Sequence, residues 1–524
     1  MTRPGRSPRT SLLACTCLVA GFALAVLTGT AAAQTSSAAS NAEAMILRDR
    51  GDLAGAVAIL RARLADHPDD GDAARLLAQT LYWLGERAEA RALYEAALVR
   101  HPGDTAVRLE YGRMLVDLLD ARRARTLLLP LTASGTARAS AATLLGTLDY
   151  WTGNLSGAMS WLETALDADS ARRDTRELLR EIAGLTAPWL RVSVSGRRDD
   201  QPLREQRGEV EVGWFPVPEW SLAVRAAPSR FPADAITTRE ALDLSARARG
   251  FVPAMRLRLE GEGGVYRRSW ARSGDWTGRG AAALGLGRSF ALGASLHRAP
   301  YLHTQSSLRS AVMSTAIGAN LRLDSPRGWL GELAIQREDF PDDNTISTAF
   351  GWILAPLVHG PRGHLLAGYS LSMQDSRESR FVLVDTTPSL PPGRPQAELR
   401  GRYDPYFTPD QLTAHAVIAS LMMRPSRATA LRLGGSYGVR AHDRAPVFLS
   451  VPSVPPQGEG VVRASYARTY TPWDIRASFE AGAPGGSSLR ITGAHNHTIF
   501  YSASSLAVAV TLRRITRLRN SDRR

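Results

Sequence analysis

The sequence predicts a two-part fold: an all-α helical-repeat solenoid followed by a C-terminal antiparallel transmembrane β-barrel, in a chain of 524 residues. Three observations predict it. A segment near the N-terminus repeats with a period of about 34 residues, which is typical of paired helices. Beyond Pro188 the apolar period changes from about 3.6 residues to about 2, the period of a strand with two unlike faces. The N-terminus has the pattern of an export signal.

Residues 1–33 are predicted to be a signal peptide. Basic residues precede an uncharged apolar run from Leu12 to about Leu27, and the small residues of 31–33 offer a cleavage site. An uncleaved membrane anchor is one alternative, because the run approaches the length of a membrane-spanning helix. A lipoprotein signal at Cys15 is another.

Both cysteines of the chain, Cys15 and Cys17, lie in this predicted signal. The mature chain is therefore expected to contain no cysteine. That excludes a disulfide framework, a thiol nucleophile and a cysteine-ligated metal from the exported protein.

The stretch Gly71–Asp104 has the spacing of two packed helices. Apolar and small side chains recur at helical intervals, a glycine separates the two halves, and a proline ends the second. The predicted packing positions are Leu77, Ala78, Gly85, Ala90, Tyr94, Ala97 and Pro102. This is the tetratricopeptide repeat (TPR) pattern.

Weaker copies span about 37–70, from Thr105 onward, and about 139–172, and a helix at 175–185 would cap the last one. We therefore predict a TPR solenoid of about four repeats over 34–186, because one repeat cannot bury its own apolar face. An unrelated helical bundle is the alternative. Such solenoids bind protein partners, and nothing in this segment indicates nucleic-acid binding.

Residues 187–516 are predicted to form the barrel, and 517–524 a basic tail. Segments such as "LRVSVSG" (190–196) and "SLAVAVTL" (505–512) alternate between apolar and polar residues. We expect about 14–16 strands, short turns at the periplasmic end and longer outer loops. A soluble all-β domain is the alternative. Aromatic residues near strand ends are expected to form interfacial girdles: Trp189, Trp214, Trp220, Tyr266, Trp270, Trp329, Trp352, Tyr369 and Trp473.

This order of segments resembles bacterial exopolysaccharide export proteins, namely the poly-N-acetylglucosamine porin, the cellulose-export subunit and the YaiO-like outer-membrane family. The repeats, "APWLRVSVSGRRDDQPL" at the start of the barrel, "YDPYFTPDQ" (403–411) and the ending "HNHTIFYSASSLAVAVTL" carry the resemblance. It implies an outer-membrane protein whose periplasmic repeats recruit a polymer-modifying enzyme or steer the polymer, while the barrel is the conduit.

Asp404, Tyr406 and Phe407 are the candidate polymer contacts. An aromatic face can stack on sugar C–H groups, and a carboxylate can accept hydrogen bonds from sugar hydroxyls. The alternative is that these residues only order a turn.

We predict no catalytic activity, no cofactor and no metal. Ser436 in "GGSYG" matches a nucleophile-elbow motif, but it falls in an alternating strand where that motif has no helix to follow. His495 and His497 could bind a metal, but no third ligand is evident. The competing functions are a barrel-anchored docking scaffold without transport and an outer-membrane enzyme.

The chain carries 64 basic residues, all arginine, against 50 acidic ones. The repeat segment is slightly acidic, so the excess of arginine falls in the barrel segment. A basic barrel is expected to attract an anionic polymer or the phosphates of outer-membrane lipid.

Overall fold

The computed structural model describes residues 41–514, apart from 134, 201–202, 233–237, 361, 390–397, 452–459, 483–484 and 500. The predicted signal peptide and basic tail lie outside the described residues. The described chain divides into two compact units, one ending at Leu148 and the other beginning at Asp149.

Helices occupy the chain before the barrel, as the tetratricopeptide pattern predicts. Their bounds are α1 (41–49), α2 (Leu53–Asp66), α3 (Gly71–Leu84), α4 (Arg87–Arg100), α5 (Thr105–Asp117), α6 (Ala121–Leu128), α7 (Arg138–Thr152), α8 (Leu155–Ala168) and α9 (Arg173–Leu185). Over the described residues, none of the helices has the length and apolar character needed to cross a membrane.

Aspartates cap the N-termini of several helices in the repeats and so help to fix where each helix begins. The carboxylates of Asp52, Asp70, Asp104 and Asp120 each accept a hydrogen bond from the backbone N–H three residues further on. Such a cap stabilises a helix by about 1 kcal/mol. Asp70 and Asp104, which begin α3 and α5, are separated by one repeat length.

The packing positions predicted for the repeat Gly71–Asp104 lie mostly in the helical core. Leu77, Ala78, Ala90, Tyr94 and Ala97 are buried. Gly85 follows α3 in the left-handed conformation, with φ of 101°, which glycine adopts without steric strain. Pro102 stands two residues beyond the end of α4. The ring of Tyr94 stacks on that of Tyr111 in α5, with centroids 5.3 Å apart, so neighbouring repeats share one core.

Strands occupy the chain from Trp189 onward. Their bounds are β1 (Trp189–Asp199), β2 (Arg204–Val217), β3 (Trp220–Phe231), β4 (Arg239–Val252), β5 (Leu257–Arg268), β6 (Asp275–Leu286), β7 (Phe290–Pro300), β8 (Met313–Asp324), β9 (Leu330–Asp339), β10 (Thr345–Gly360), β11 (Gly363–Ser376), β12 (Phe381–Ser389), β13 (Glu398–Tyr403), β14 (Leu412–Ser426), β15 (Thr429–Val451), β16 (Gly460–Tyr470), β17 (Trp473–Gly482), β18 (Ser488–His497) and β19 (Ser502–Arg513).

Sixteen of these described strands close into an antiparallel barrel, at the upper end of the predicted range. Each strand from β1 to β11 pairs with the next, β11 pairs with β14, and the circuit continues through β15, β17, β18 and β19. β19 pairs with β1 in register from Trp189 opposite Arg513 to Asp199 opposite Ala503. Closure pairs the backbone groups that an open sheet would leave at its edges.

The remaining strands extend the wall at one end. The far half of β15 continues past the barrel and pairs with β16, and its residues Phe448 and Leu449 pair with β13. β12 pairs with β13. These strands belong to the same sheet and extend it beyond the barrel.

The two faces of the barrel wall differ sharply in chemistry. Large apolar side chains on the convex face are exposed, with Leu333 and Ile335 at 64% and Val194 at 61%. The concave face carries polar side chains, and some of them are buried, including Glu211 at 2%. A closed sheet with its apolar residues outward and polar residues inward has the pattern of a membrane-spanning barrel.

The prediction that these aromatic residues form an outward-facing interfacial girdle is wrong for several of them. Trp214, Trp329, Tyr369 and Trp473 are among the exposed apolar side chains. Trp189, Tyr266 and Trp352 share the inner face instead, since they lie in register with Gly213, Asp243 and Glu332. Trp270 lies in the β5–β6 connection, where its indole N–H donates to the carbonyl of Leu308. A strand-end position does not determine the face; the parity along the strand does.

Connections at the two ends of the barrel differ in length. At the end where β1 begins and β19 ends, the turns are short, as at 218–219, 287–289 and 427–428. At the opposite end they include 301–312 and the long excursion 377–411, which contains β12 and β13. We call these the short-turn end and the long-loop end.

We predict that Ile335→Arg, at the middle of β9 on the convex face, lowers the free energy of unfolding in lipid vesicles by about 2–4 kcal/mol, because it places a cation in hydrocarbon. Gln336→Arg, one residue along and facing inward, is the matched control and should change it far less. Denaturant titration of the refolded protein measures both. Equal losses would contradict the assignment of the two faces.

Candidate functional site: the barrel lumen and its mouth

Ion pairs cover the inner face of β1–β6, which we call the paired wall. Arg225 lies among three carboxylates, at 3.0 Å from Asp243, 2.6 Å from Glu262 and 3.5 Å from Glu209. These residues lie on four neighbouring strands, β2 to β5, so the pairs cross the sheet as a continuous network. Arg207 completes it, 3.2 Å from Asp243.

The network continues toward the short-turn end of the same wall. Glu211 is 2% exposed and pairs with Arg247 and, at 3.7 Å, with Arg191. The indole N–H of Trp189 also donates to Glu211, at 3.0 Å. Arg249 pairs with Glu260 at 3.1 Å. A buried carboxylate needs such partners, because an unpaired charge in the wall would be strongly destabilising.

A second group of inner-face charges lies across β15, β17 and β18. Glu480 accepts from Arg432 at 3.3 Å and from Arg490 at 3.0 Å. Asp474 pairs with Arg476 at 3.2 Å and also accepts a hydrogen bond from the hydroxyl of Ser436. The hydroxyl of Ser436 is thus held by a carboxylate on the inner wall.

The inner face of β10, β11 and β14 is different, and we call it the neutral wall. Between the strand ends, its described side chains are uncharged: Ile346, Thr348, Phe350, Trp352, Leu354, Leu366, Ser370, Ser372, Gln374, Ser376, Leu412, Ala414, Ala416, Ile418, Ser420 and Met422. His364 and Arg424 have the same parity and lie at the short-turn ends of β11 and β14. Phe350 is opposite Ser372 and Trp352 is opposite Ser370. This wall combines hydroxyls and amides with two aromatic rings.

Two cavities lie between these walls. One, of about 690 Å³, is lined by Arg249 and Glu260 of the paired wall and by Thr348 and Phe350 of the neutral wall. The other, of about 550 Å³, is lined mainly by inner-face residues of β1, β14, β15, β17, β18 and β19, including Arg476. The barrel interior is therefore not filled by its own side chains.

Residues 301–312, which we call the mouth segment, cross the long-loop opening. The segment joins β7 to β8 and contains a short helix, α10 (Gln305–Arg309). Although the segment follows β7, it reaches a strand on the other side of the barrel: Arg197, on the inner face of β1, donates to the carbonyl of Leu302 at 3.4 Å. β1 is seven strands from β8 around the barrel, so this contact spans the opening.

Aromatic and aliphatic packing holds the mouth segment on both sides. Leu308 packs with Leu203, Phe231 and Tyr266. On the other side, the ring of Tyr301 lies 5.5 Å from that of Phe340. The segment is thus part of a core at the long-loop end rather than an exposed loop.

The predicted polymer contacts, Asp404, Tyr406 and Phe407, lie beside this segment. Asp404 accepts from the hydroxyl of Ser306, and Thr304 donates to the carbonyl of Pro405 at 2.8 Å. Phe407 is partly exposed and its ring meets Tyr403 edge to face. Polymer contact by these residues stays a prediction.

Tyr406 is 1% exposed, and its surroundings give it a structural role. Its ring stacks on Phe340 at 3.8 Å, and its hydroxyl donates to Asp342 at 2.7 Å. Burial raises the pKa of Tyr406 to about 12. The pKa of Asp342 is lowered by its hydrogen bonds from Tyr406 and Arg380, which outweigh the opposing effect of burial.

His495 and His497 lie on the convex face of β18, in register with Ser504 and Ser502 of β19. His495 hydrogen-bonds to Ser504 at 2.8 Å, and both rings lie near the indole of Trp473. No group of three metal-binding side chains occurs among the described residues.

At the short-turn end, α8 and α9 contact the barrel rim. The hydroxyl of Ser156 donates to Glu219 in the β2–β3 turn at 2.7 Å. Arg513, the last residue of β19, donates to the carbonyls of Gly184 at 3.1 Å and Leu185 at 2.8 Å. The backbone of Gly184 lies so close to that of Gly485 that a side chain at either position would clash.

Comparison with known proteins identifies the repeats. A family model for the tetratricopeptide repeat matches residues 47–108. No curated protein sequence matches the chain. Among solved structures, a bacterial polysaccharide outer membrane secretin shares 11% identity over 63% of this chain and 99% of its own, with a TM-score of 0.46. The Pseudomonas aeruginosa protein PilF shares 20% over 28% of this chain and 68% of its own, with a TM-score of 0.27. MamA of Desulfovibrio magneticus RS-1 shares 19% over 28% of this chain and 81% of its own, with a TM-score of 0.25.

We predict that Tyr406→Ala loosens the mouth segment strongly, because it removes a buried ring, at a cost of about 3 kcal/mol or more. Tyr406→Phe should cost less, about 1.5–3 kcal/mol, the value of one hydrogen bond to a charged group. Amide hydrogen exchange of residues 301–312 in detergent micelles measures the change. Tyr437→Ala, at an exposed tyrosine on the convex face of β15, is the control. Unchanged exchange in Tyr406→Ala would contradict this role.

Acid should also loosen the mouth segment. Burial, with a smaller effect of Arg197, lowers the pKa of His303 to about 4, so the native segment holds the neutral ring. When the segment opens, His303 regains an ordinary pKa near 6.5 and takes up a proton. Protection, corrected for intrinsic exchange, should therefore fall as the pH drops from about 6.5 to 4, and His303→Gln should remove this dependence. An identical pH profile in the variant would contradict the assignment.

Proposed function

We propose that this protein spans the bacterial outer membrane and exports an exopolysaccharide through its barrel, with the tetratricopeptide repeats in the periplasm. The apolar convex face and the closed hydrogen-bonded wall support the membrane location. The short-turn end, where α8 and α9 contact the rim, would face the periplasm, and the long-loop end the exterior. We propose no catalytic role for the chain.

The observation that carries transport is the exposure of charged side chains inside the barrel. The side chain of Arg476 is 75% exposed and that of Arg322 is 65% exposed, although both lie on the inner face. Side chains this accessible inside a closed wall have open space beside them, which water can enter. A 16-strand barrel is wide enough for an aqueous channel.

The repeats would recruit a periplasmic protein. Large apolar side chains are exposed on the helices, including Trp83 at 51% and Val99 at 80%. Arg48 lies over the ring of Trp83, 4.8 Å from its centroid. Exposed aromatic and arginine side chains are typical anchors of protein interfaces.

The second candidate is a barrel that anchors the repeats as a docking scaffold without transport. The mouth segment favours it, because this segment crosses the long-loop opening and is packed on both sides. Transport then requires that the mouth segment leave the opening or that a path remain beside it.

We predict that the mature protein conducts ions in planar lipid bilayers, at least once residues 303–310 are replaced by a short glycine linker. Ser478→Trp with Ala494→Trp, both on the inner face beside the 550 Å³ cavity, should lower the conductance by about twofold or more by narrowing the channel. Ala477→Trp, on the convex face, is the control. Heat-dependent gel mobility verifies that each variant has folded. If neither the native nor the linker protein conducts, transport is contradicted and the scaffold function is favoured.

The same variants test export in the source bacterium. Deletion of the gene should reduce secreted glycan, and a plasmid copy carrying Ser478→Trp and Ala494→Trp should restore less glycan than one carrying Ala477→Trp. Equal restoration by both, at equal amounts of folded protein, would contradict passage through the lumen.

A further inference from the structure

We infer that the lumen carries an uncharged glycan, whose sugar rings pass against Phe350 and Trp352 on the neutral wall. This inference rests on the proposed function. It replaces the anionic polymer that the excess of arginine suggested from the sequence.

The charges of the inner face largely cancel. Most carboxylates on the paired wall, and those of Asp474 and Glu480 across β15–β18, have arginine partners, as Asp243 has in Arg207 and Arg225. The inner-face charges outside those pairs include both signs, with Arg197, Arg258 and Arg279 against Glu205 and Glu338. A channel that concentrates charged cargo needs walls of one sign, because only these sum to a strong field.

A charged polymer would also have to compete with the wall. A polyanion that bound Arg225 would displace Glu262, Asp243 or Glu209, and a polycation would displace arginines from the same carboxylates. Either exchange leaves a partly buried charge without its partner, which is costly. A neutral polymer leaves every pair intact.

The neutral wall has the chemistry that a neutral sugar needs. A sugar ring has C–H groups on its faces and hydroxyls around its edge. Phe350 is 37% exposed toward the lumen, and Trp352 follows it on the same face, about 7 Å along the strand. Ser370 and Ser372 flank the two rings, and their hydroxyls can both donate and accept.

The neutral and paired walls face the same space. The 690 Å³ cavity is bounded by Phe350 and Thr348 on one side and by Arg249 and Glu260 on the other. A glycan stacked on Phe350 therefore meets ion-paired groups across the lumen. Those groups can hydrogen-bond to hydroxyls without adding net charge.

The test measures binding by calorimetry to the full mature chain in detergent micelles. The probes are cellohexaose, which is neutral, hexagalacturonate, which is anionic, and a glucosamine hexamer, which is cationic. Cellohexaose should bind with an affinity that salt barely changes, and should bind more tightly than either charged hexamer at low salt.

Phe350→Ala with Trp352→Ala should weaken cellohexaose binding about tenfold, equivalent to about 1.4 kcal/mol. Trp276→Ala with Tyr369→Ala, two exposed aromatic residues of the convex face, is the matched control and should leave it unchanged. Tighter binding of a charged hexamer, or no effect of the inner-face pair, would overturn the inference. Bilayer conductance without cellohexaose binding overturns this inference but leaves transport standing. Binding without conductance contradicts transport, and with it the passage of a glycan, and leaves only a glycan-binding face on the neutral wall.

Discussion

Closure of the sheet is the constraint on which the rest of this structure depends. In hydrocarbon, a backbone N–H or C=O without a partner costs several kcal/mol, so the wall must leave no open edge. The pairing of β19 with β1 over the whole of β1 meets that requirement. Sixteen strands then set a circumference too large for the inner side chains to fill, and the lumen follows from the strand number.

Because successive side chains of a strand point to opposite faces, the closed sheet has an outer and an inner surface of different chemistry. Each apolar residue that points outward has sequence neighbours that point inward. The inner face therefore has to accommodate as many side chains as the outer one, in water rather than in lipid. On β2–β5 this is achieved by arginine–carboxylate pairs that link four strands, which stiffens the wall without giving it a net sign.

The sequence was sufficient for the fold because both of its signals are periodic. The helical repeat and the strand alternation each recur many times, so local errors average out. The site is different. Trp352 was placed in a girdle because it was expected near a strand end, whereas its parity with Thr348 and Phe350 in "STAFGWIL" points all three to the inner face. The burial of Tyr406 depends on Phe340 and Asp342, which lie more than sixty positions earlier, and no local pattern reveals such a contact. The mouth segment was missed for the same reason.

Arg513 links the helices and the barrel of the second compact unit, because it lies where β19 and α9 both end. It closes the last strand against β1, and the same side chain binds the carbonyls that finish α9. The carbonyl of Gly184 also accepts from the backbone N–H of Ala187 at 3.4 Å, so the guanidinium of Arg513 adds to the carboxyl-terminal cap of α9. The carboxyl-terminal turn of α9 is thus tied to the last strand of the barrel through Arg513. Completion of the cylinder and capping of the adjoining helix therefore depend on one shared side chain.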